Sequence, residues 1–297
     1  MSSTAVPTPV LHEQVLDWYA VAQRDLPWRS PDATPWGVFV SEVMLQQTPV
    51  ARVEPVWHAW LTRWPTPADL AAESPGEAVR AWGRLGYPRR ALRLHAAATA
   101  MVERHGGEVP GSHEELLDLP GVGTYTAAAV ASFGFGLRAT VVDTNVRRVF
   151  ARLVQGRAQA SPSLTRSEMD LAASLLPPDA DRARTWSVGV MELGALTCTA
   201  RAPRCGDCPV ADLCAWRLAG HPAYDGPARK GQAWHGTDRQ ARGALLRMLR
   251  EATGPVDGED LARAWPVDPA QRDRCLDSLV ADGLVEPLSG NRFRLPA

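Results

Sequence analysis

The chain has 297 residues, of which 45% are apolar and 22% are charged, and its formal net charge is −1. This length predicts about two domains, and the apolar fraction excludes an intrinsically disordered chain. No apolar run approaches the roughly 18 residues that span a bilayer, and the first residues lack the basic and apolar regions of a signal peptide. We therefore expect a cytoplasmic protein that makes no membrane contact.

Because the formal charge is close to zero, binding to nucleic acid would require basic residues that are gathered locally. Two stretches, 80–93 and 138–157, each contain five arginines. Such stretches are typical of a DNA-contacting surface and equally of a solvated surface in an arginine-rich chain. Charge alone does not decide between the two. The only lysine in the sequence is Lys230.

Taken in chain order, apolar residues at helical spacing predict one helix after another, with little strand-like alternation. The first helix is predicted over 10–23 and ends before Pro27, which disfavours a helical residue ahead of it. The apolar run 36–48 predicts a helix that is largely buried. Proline and glycine separate the later segments. Further helices are predicted over 49–64, 68–82, 88–105, 112–118, 124–134, 145–155, 165–176 and 181–195. The expected fold class is all-α.

The character of the sequence changes after residue 214. Residues 221–240 are polar and contain Gly and Pro, which predicts a linker. Three helices are then predicted, over 239–252, 258–266 and 270–285, and a short hairpin over 286–296. About 80 residues suffice for a modest independent core. We expect a small winged-helix-like unit here.

Glu42 lies inside the apolar run of the second predicted helix. An ionised glutamate is costly to bury in such surroundings. Either the side chain faces solvent from an otherwise buried helix, or it is a functional acid whose pKa is raised by burial. The pattern alone slightly favours the first alternative.

Asp143 precedes a predicted helix. The plain interpretation is a helix N-cap, a role that aspartate fills well. A functional role is compatible with that one, because a capping carboxylate is held in a fixed place. Asn145, two residues further on, is kept as a candidate for the same site.

Leu119-Pro120-Gly121-Val122-Gly123 lies between two predicted helices. Two glycines around one apolar residue permit a tight turn and allow backbone N–H groups to approach an oxyanion closely. On its own, this pattern also suits an ordinary helix connection.

Cys198, Cys205, Cys208 and Cys214 have the spacing C-x6-C-x2-C-x5-C. Four thiolates close in sequence suit an iron–sulfur cube, in which each iron takes one sulfur ligand from the protein. Zinc is the alternative, since four-cysteine zinc sites are common, although they usually pair two C-x2-C elements and only one is present. Disulfides are not expected in the cytosol. Cys275, far along the chain, is predicted to be a buried apolar residue.

The motifs together resemble those of the adenine DNA glycosylases (MutY-like proteins), a branch of the helix-hairpin-helix and endonuclease III superfamily. The cysteine spacing resembles their 4Fe-4S cluster loop, and the run 119–128, about 20 residues ahead of Asp143, resembles their DNA-binding hairpin. The segment 41–48, Ser-Glu-Val-Met-Leu-Gln-Gln-Thr, preceded by Leu-Pro-Trp-Arg, is specific to this branch. The segments 83–87 and 191–195 also match. The similarity covers roughly residues 10–216.

The resemblance implies the fold and its division. A two-lobed molecule is expected, with a six-helix barrel lobe and a cluster lobe. The implied domains are a barrel with the hairpin over 26–135 and an iron–sulfur domain over 1–25 and 136–217. The linker and the winged-helix-like unit, which the sequence pattern predicts, then occupy 218–238 and 239–297. One 4Fe-4S cluster on the four cysteines is the implied cofactor.

The resemblance also implies a reaction, hydrolysis of the N-glycosidic bond of adenine mispaired with 8-oxoguanine or guanine. Breaking such a bond needs an acid that protonates the leaving purine and a carboxylate that stabilises the sugar cation. Glu42 is the implied acid and then activates water. Asp143 is the implied stabiliser, acting electrostatically or by transient covalent attack. Gly121, Val122 and Gly123 are implied to hold DNA phosphates without reading sequence.

The target base must leave the duplex. By resemblance, Gln47, Leu85 and Tyr87 are candidates to enter the gap or to stack beside the orphan guanine. Pro88 stands where relatives often have a second aromatic residue, which predicts a different local shape. Leu85 has a plain alternative as a core residue.

Trp28, Arg29 and Glu192 are, by resemblance, candidates to line the adenine pocket. Trp28 has an alternative as a core residue, and Glu192 as an exposed helix residue. No motif in the sequence distinguishes these interpretations.

Bifunctional relatives attack the sugar with a lysine in the helix that follows the hairpin. Tyr125 stands at the matching position, and no lysine precedes Lys230. The sequence therefore predicts a monofunctional glycosylase, with Tyr125 kept as a candidate of the catalytic site.

Two other functions stay open. One is a thymine mismatch glycosylase on the same scaffold, which can also carry tyrosine at the hairpin position, and the other is a non-catalytic iron–sulfur DNA-binding protein. Glu42 argues against the first, and Glu42 together with Asp143 against the second. The expected partner is double-stranded DNA with a mispaired adenine, bound by a monomer associated with the nucleoid.

Many adenine glycosylases carry a long C-terminal domain, resembling a nucleotide pyrophosphohydrolase, that recognises 8-oxoguanine. Here a unit of about 80 residues follows the cysteines instead, so discrimination of 8-oxoguanine is expected to be weaker or differently achieved. His235 and the helix of Arg239–Arg250 are candidate DNA contacts, with packing or partner binding as equal alternatives.

Overall fold

A computed structural model describes residues 8–226 and 234–297. Lys230 and part of the expected linker lie outside these residues. Helices dominate the described chain, which confirms the all-α class. None of the described helices is long and apolar enough to cross a membrane. The helices are α1 (Thr8–Ala22), α2 (Pro35–Leu45), α3 (Val50–Arg63), α4 (Pro67–Ala71), α5 (Pro75–Trp82), α6 (Arg89–His105), α7 (His113–Leu117), α8 (Thr124–Phe135), α9 (Thr144–Leu153), α10 (Arg166–Ser174), α11 (Ala180–Leu196), α12 (Ala215–Leu218), α13 (Asp238–Glu251), α14 (Gly258–Ala264) and α15 (Pro269–Ala281).

The described residues form two compact units. The first contains those of 1–35, 111–113 and 123–228, and the second those of 36–110, 114–122 and 229–297. Helix α8, expected within the barrel domain, is grouped with the first unit, and the winged-helix-like segment with the second.

The core of the first unit is formed where α1 and α9 pack against α11. Trp186 of α11 lies at its centre, stacked on Phe150 at a ring-centroid separation of 6.3 Å. Helices α10 and α11 of this unit begin with side-chain caps that satisfy first-turn N–H groups. Thr165 forms a capping box with Glu168, and Asp179 caps α11.

The second unit is built around buried tryptophans. The rings of Trp64 and Trp82 both meet Trp60 edge to face, at centroid distances of 4.7 and 5.6 Å. Each buried indole N–H needs an acceptor, and that of Trp60 donates to the Ala81 carbonyl at 3.1 Å. Helix α6 packs against α4 and α5 in the same unit.

The single helix predicted over 68–82 is wrong, since the chain forms α4 and α5 with a break between them. Ser74 adopts an extended conformation, with φ −72° and ψ 151°, directly before Pro75. A residue ahead of proline is pushed out of the helical region, and proline itself is suited to the first position of a new helix. The break makes α5 a short helix of eight residues.

The winged-helix-like prediction is confirmed. Helix α13 is followed by strand β1 (Val256–Asp257), α14, α15, and the hairpin of β2 (Glu286–Leu288) and β3 (Arg292–Arg294). The antiparallel sheet has the order β1-β3-β2, with Phe293 opposite Val256 and Pro287. The sequence did not predict β1, which has two residues. Helix α15 ends at Ala281, earlier than predicted, just ahead of Gly283 with φ 71°.

Candidate active site

Glu42 lies in the protein interior. All residues of α2 from Trp36 to Met44 are buried, and Glu42 is 5% exposed. The solvent-facing alternative for this side chain is therefore wrong. Burial of a carboxyl group carries a desolvation cost, and such groups are often found at functional sites. Helix α2 thus presents an acid within protein, as proton donation to a leaving base requires.

Arg90 forms hydrogen bonds with the carbonyl groups at the C-terminal end of α2. Its Nη1 donates to the carbonyls of Val43 and Met44 at 2.9 and 2.8 Å. Its Nη2 donates to Thr48 Oγ1 at 2.8 Å and to the Gly86 carbonyl at 3.1 Å. Desolvation by burial lowers the pKa of Arg90 to about 10, so the side chain stays cationic at neutral pH. A cation at this position also opposes the negative end of the helix dipole.

The two loops that Arg90 joins both contain a strained backbone. Gln47 has φ 57° and Tyr87 has φ 48°, in the left-handed region that residues with a Cβ rarely adopt. Both side chains are exposed. Leu85 is only 3% exposed, which places it with the core, and its carbonyl accepts from Thr48 Oγ1 at 3.3 Å. Gln47 and Tyr87 are thus the two wedge candidates with accessible side chains.

The predicted hairpin residues lie at the surface. Gly121 has φ 76°, and a Cβ there would lie 2.7 Å from the Cβ of Arg93, so both backbone angle and space require glycine. The Val122 N–H donates to the Leu119 carbonyl at 3.2 Å and closes the turn. Gly123 is the N-cap of α8 and makes no side-chain cap hydrogen bond. The start of α8 is therefore a positive helix end, suited to an anion.

Asp143 is the N-cap of α9, as predicted. Its Oδ1 accepts from the Val146 N–H at 2.7 Å, and its Oδ2 accepts from Asn145 Nδ2 at 2.8 Å. Desolvation raises the pKa of the Asp143 carboxyl, although these hydrogen bonds and the charge of Arg148 act in the opposite direction. The carboxylate is therefore fixed in position, and its negative charge is incompletely compensated.

Arg148 connects this carboxylate to the cysteine loop. Its Nη2 donates to Asn145 Oδ1 at 2.8 Å and to the Gly194 carbonyl at 2.7 Å. Its Nε donates to the Cys198 carbonyl at 2.7 Å. Asp143, Asn145, Arg148 and Cys198 thus form one hydrogen-bonded series along α9, which sequence reasoning did not predict.

Gly194 permits the close approach that this series needs. A Cβ at Gly194 would lie 2.6 Å from the Cβ of Asn145, closer than real Cβ atoms come, so a side chain there would push α9 and α11 apart. The segment 191–195 was noted for its resemblance alone, and the structure supplies the physical reason for its glycine.

Glu192 is completely buried and holds two arginines. Arg24 Nε and Arg29 Nη2 lie 2.6 and 3.0 Å from its carboxylate. Burial opposes its ionisation, but the hydrogen bonds from Arg24 and Arg29 outweigh it and lower the pKa of Glu192 to about 2. The alternative of an exposed helix residue is wrong. Arg29 Nη1 is buried and has no hydrogen-bond partner among the described residues, so one donor beside Trp28 is left for a ligand.

Tyr125 occupies the first turn of α8 and is half-buried. It packs against a small apolar cluster that includes Ala128, Ala129 and Val141. An aromatic side chain thus fills the position at which a lyase would carry its lysine.

The four cysteines of the loop belong to the first unit. Cys198, Cys208 and Cys214 pack against its core beside Val210. Burial, together with the charges of the other three cysteines, raises the pKa of Cys208 to about 11, so Cys208 lies within electrostatic reach of all three. Arg152 Nη1 lies 3.3 Å from Cys198 Sγ.

This donor set fits an iron–sulfur cluster. Among the described residues, no three His, Cys, Asp or Glu side chains are grouped as one metal ion would require. A cube does not need that grouping, because each of its irons takes one thiolate. Cys275 is 1% exposed, in agreement with its prediction as a buried residue.

Comparison with known proteins defines the class. A model of the HhH-GPD superfamily of base excision DNA repair proteins matches residues 40–173, and a model of the iron-sulfur binding domain of endonuclease III matches residues 198–214. A solved thermostable thymine-DNA glycosylase is 28% identical, with a TM-score of 0.64, over 71% of this chain and 97% of that one. An endonuclease III solved in a non-covalent complex with DNA is 25% identical, with a TM-score of 0.61, over 71% and 95%. The chain is a helix-hairpin-helix DNA N-glycosylase with a 4Fe-4S cluster.

The family within that class follows from a full-length relative. The adenine DNA glycosylase of Mycobacterium tuberculosis H37Rv is 54% identical over 295 residues, which cover 99% of this chain and 96% of that protein. The chain belongs to the adenine DNA glycosylase family, as the motifs predicted. Its winged-helix-like segment lies within the aligned length.

Proposed function

We propose that this chain hydrolyses the N-glycosidic bond of adenine mispaired with 8-oxoguanine or guanine in double-stranded DNA. Family membership supports the choice of adenine. The observation that carries the mechanism is Glu42, a carboxyl group buried on a helix that is almost entirely apolar. Excision of a purine needs such an acid, because protonation makes the base a better leaving group.

The reaction begins with Glu42 in its protonated form. Glu42 gives its proton to a ring nitrogen of adenine as the bond from the sugar C1′ to the base breaks. The electron pair of that bond leaves with the base, and positive charge develops on the sugar.

Asp143 stabilises that cation. Its carboxylate is fixed by the cap bond to Val146 and by Asn145, so little reorganisation is needed as charge develops. Water then adds to C1′ and returns a proton to Glu42, which leaves an abasic site and regenerates the acid.

The strained loops and the hairpin serve to expose the base. The exposed side chains of Gln47 and Tyr87 are suited to fill the gap left by the extruded adenine. The hairpin of Gly121, Val122 and Gly123, whose turn is closed by the Val122 N–H, is suited to hold a phosphate at the start of α8. Arg29, whose buried Nη1 has no partner among the described residues, is suited to donate a hydrogen bond to an acceptor nitrogen on the adenine edge.

The proposed enzyme is monofunctional. Tyr125 has no amine with which to form a Schiff base, and the only lysine, Lys230, lies outside the described residues. Strand cleavage should therefore need heat and alkali. Efficient trapping of the enzyme on DNA by borohydride would contradict this assignment.

The cluster is held by Cys198, Cys205, Cys208 and Cys214 in our proposal. When bound, it links four points of one loop and so fixes that loop. Arg148 ties the first of these cysteines to the Asp143 site. We further propose that the protein acts as a monomer on chromosomal DNA in the cytoplasm.

One assay separates the proposed activity from its competitors. The protein is incubated with duplexes containing A opposite 8-oxoguanine, A opposite G, T opposite G, or an oxidised pyrimidine, and abasic sites are counted. Adenine release alone is expected. Thymine release would favour a thymine mismatch glycosylase, and no release a non-catalytic DNA-binding protein.

Glu42→Gln tests the mechanism itself. This variant should lose adenine release, by about a thousandfold or more as expected for a general acid together with its second role, and keep duplex binding. The matched control is Glu103→Gln, an exposed glutamate on α6, which should behave as the wild type. Full activity of Glu42→Gln would disprove the assigned chemistry.

A further inference from the structure

Helix α5 is a short element with a demanding position. It has eight residues, and the segment 83–87, which carries Leu85 and the exposed Tyr87, begins directly after it. Each helix end leaves backbone groups without partners inside the helix, so a helix this short depends on partners from outside.

The last four carbonyls of α5 can all be accounted for. The Arg80 and Trp82 carbonyls accept from the N–H groups of Gly83 and Leu85. The Ala81 carbonyl accepts from the indole of Trp60, and the Val79 carbonyl accepts from Arg250 Nε at 3.0 Å. Arg250 belongs to α13, so one of the four is supplied by the C-terminal segment.

Burial in this contact disfavours the charged form of Arg250. Desolvation lowers the pKa of its guanidinium to about 10. The position of this cation at the C-terminal, negative end of the α5 dipole offsets that penalty. The contact is reciprocal, because Arg80 of α5 donates to the carbonyls of Arg250 and Ala252.

The other end of α5 is held by the same segment. The Gly76 N–H donates to the Pro296 carbonyl at 2.8 Å, whereas the N-cap residue Ser74 makes no side-chain cap hydrogen bond. A Cβ at Gly76 would lie 2.4 Å from that same carbonyl oxygen. Only glycine permits the approach, so the C-terminal residues fit closely against the first turn of α5.

A third contact with the C-terminal segment lies directly after segment 83–87. Arg89, the first residue of α6, is 3.2 Å from Asp282 in an ion pair. Segment 83–87 is therefore flanked on both sides by residues that the C-terminal segment holds.

The charged residues of this segment are largely paired with one another. Residues 234–297, all described, contain nine arginines and ten acidic residues. Five of these arginines form ion pairs with acidic residues of the same segment, namely Arg242, Arg263, Arg272, Arg274 and Arg294. These internal ion pairs leave few cations for phosphate binding, whereas the contacts of the segment with α5 are specific hydrogen bonds.

We propose that residues 234–297 act as a brace that caps α5 at both ends and fixes the conformation of segment 83–87. Arg250, Gly76 and Arg80 are positioning residues, which act on segment 83–87 through α5. A fixed segment 83–87 should help the protein to distinguish 8-oxoguanine from guanine. This consequence rests on the proposed function, in which Tyr87 enters the duplex. The brace itself does not depend on that function.

The test compares four single variants of the full chain with its cluster. Arg250→Met removes the donor to Val79, and Gly76→Ala displaces the C-terminal residues. Arg247→Met and Gly243→Ala are the matched controls, because both residues are exposed on α13 and a Cβ at Gly243 meets no atom within 4 Å. Amide hydrogen exchange is measured by mass spectrometry for the peptide covering 79–88 and for the cluster loop.

Arg250→Met and Gly76→Ala should raise exchange in 79–88 roughly tenfold, as expected for loss of a charged hydrogen bond, and leave the cluster loop unchanged. The controls should match the wild type. Arg250→Lys, which keeps a donor, should restore most of the protection. It replaces Gly76→Ala as the second variant if Gly76→Ala does not fold. Unchanged exchange in Arg250→Met, or an equal rise in Arg247→Met, would overturn the brace.

A second measurement addresses positioning. Binding is compared for duplexes with a stable abasic analogue opposite 8-oxoguanine or opposite guanine. Arg250→Met should reduce the ratio of the two affinities several-fold, and Arg247→Met should not. A raised exchange with an unchanged ratio would overturn the positioning role. If the wild type releases no adenine, the proposed function fails, and the exchange comparison still decides on the brace.

Discussion

Asp143 performs a structural and a chemical task with one side chain. It caps α9 through the Val146 N–H, and its carboxyl has a raised pKa because desolvation outweighs its hydrogen bonds. Cation stabilisation requires the ionised form. The rate of adenine release should therefore fall as pH drops through the raised pKa, at a higher pH than for an ordinary aspartate of pKa about 3.9.

Asn145→Ala should move this acid limb to still higher pH. Asn145 Nδ2 donates to Asp143 Oδ2 and favours the ionised form, so its removal raises the pKa further. Single-turnover rates measured between pH 4 and pH 8, values chosen to bracket an acid limb of this kind, give the shift. A variant whose profile is lowered uniformly, with an unmoved limb, would contradict the assignment of this limb to Asp143.

Arg90 offers a test of the strained loops. Its guanidinium satisfies the Val43 and Met44 carbonyls and joins Thr48 to Gly86. Arg90→Met should reduce the free energy of unfolding by roughly 3 kcal/mol, because several buried acceptors lose a charged donor. Adenine release should also slow, since Gln47 and Tyr87 lose their support.

Denaturant unfolding and single-turnover rates measure the two effects of Arg90→Met. Arg104→Met, an exposed arginine at the other end of α6, is the control and should change stability by less than about 0.5 kcal/mol. If both variants change stability and rate equally, Arg90 has no special role in holding the end of α2 and the two strained loops.

At the scale of elements, the contact of α9 with α11 positions Asp143. Gly194→Ala would place a Cβ 2.6 Å from the Cβ of Asn145, so the two helices must separate. Overpacking of this kind costs about 1–3 kcal/mol. We expect a lower melting temperature together with slower adenine release at unchanged duplex affinity. Gly243→Ala, on open surface of α13, should be neutral or slightly stabilising.

The sequence predicted elements where local signals agree. The Asp143 cap and the C-terminal hairpin were predicted from local patterns, and the cysteine loop from its ligand spacing. The helix over 68–82 was predicted whole because its apolar spacing continues, yet Ser74 leaves the helical region before Pro75. Strand β1 has two residues and acquires its structure by pairing with β3, which no local signal reports.

Contacts between residues far apart in the chain could not be predicted from local sequence patterns. Helical periodicity does not define an exposed face when nearly every residue is apolar, and so the pattern slightly favoured the wrong orientation for Glu42. Gly76 and Gly194 look like ordinary helix residues, and only the backbones that approach them explain their type. Arg90 belongs to the arginine-rich stretch 80–93, and Arg250 to a helix with three further arginines. In neither can the sequence separate a buried cation from a solvated one.

For the whole molecule, the division into two units predicts an uneven response to loss of the cluster. Cys198, Cys208 and Cys214 pack on the core of the first unit, and Arg148 joins Cys198 to the Asp143 site. Helices α5 and α6 belong to the second unit. Removing iron with an oxidant and a chelator should therefore raise amide exchange in α9 and in 198–218, and leave α5 and α6 protected.

Adenine release should be lost together with that protection, because Asp143 depends on α9. Iron content, exchange and activity are measured on the same samples. Cys275→Ala is the control, since Cys275 is buried in α15 of the second unit, and this variant should keep its full iron content and its protection in 198–218. Equal loss of protection in both units would show that the cluster stabilises the molecule as a whole. No change in α9 would show that the series from Cys198 to Asp143 carries no stabilisation.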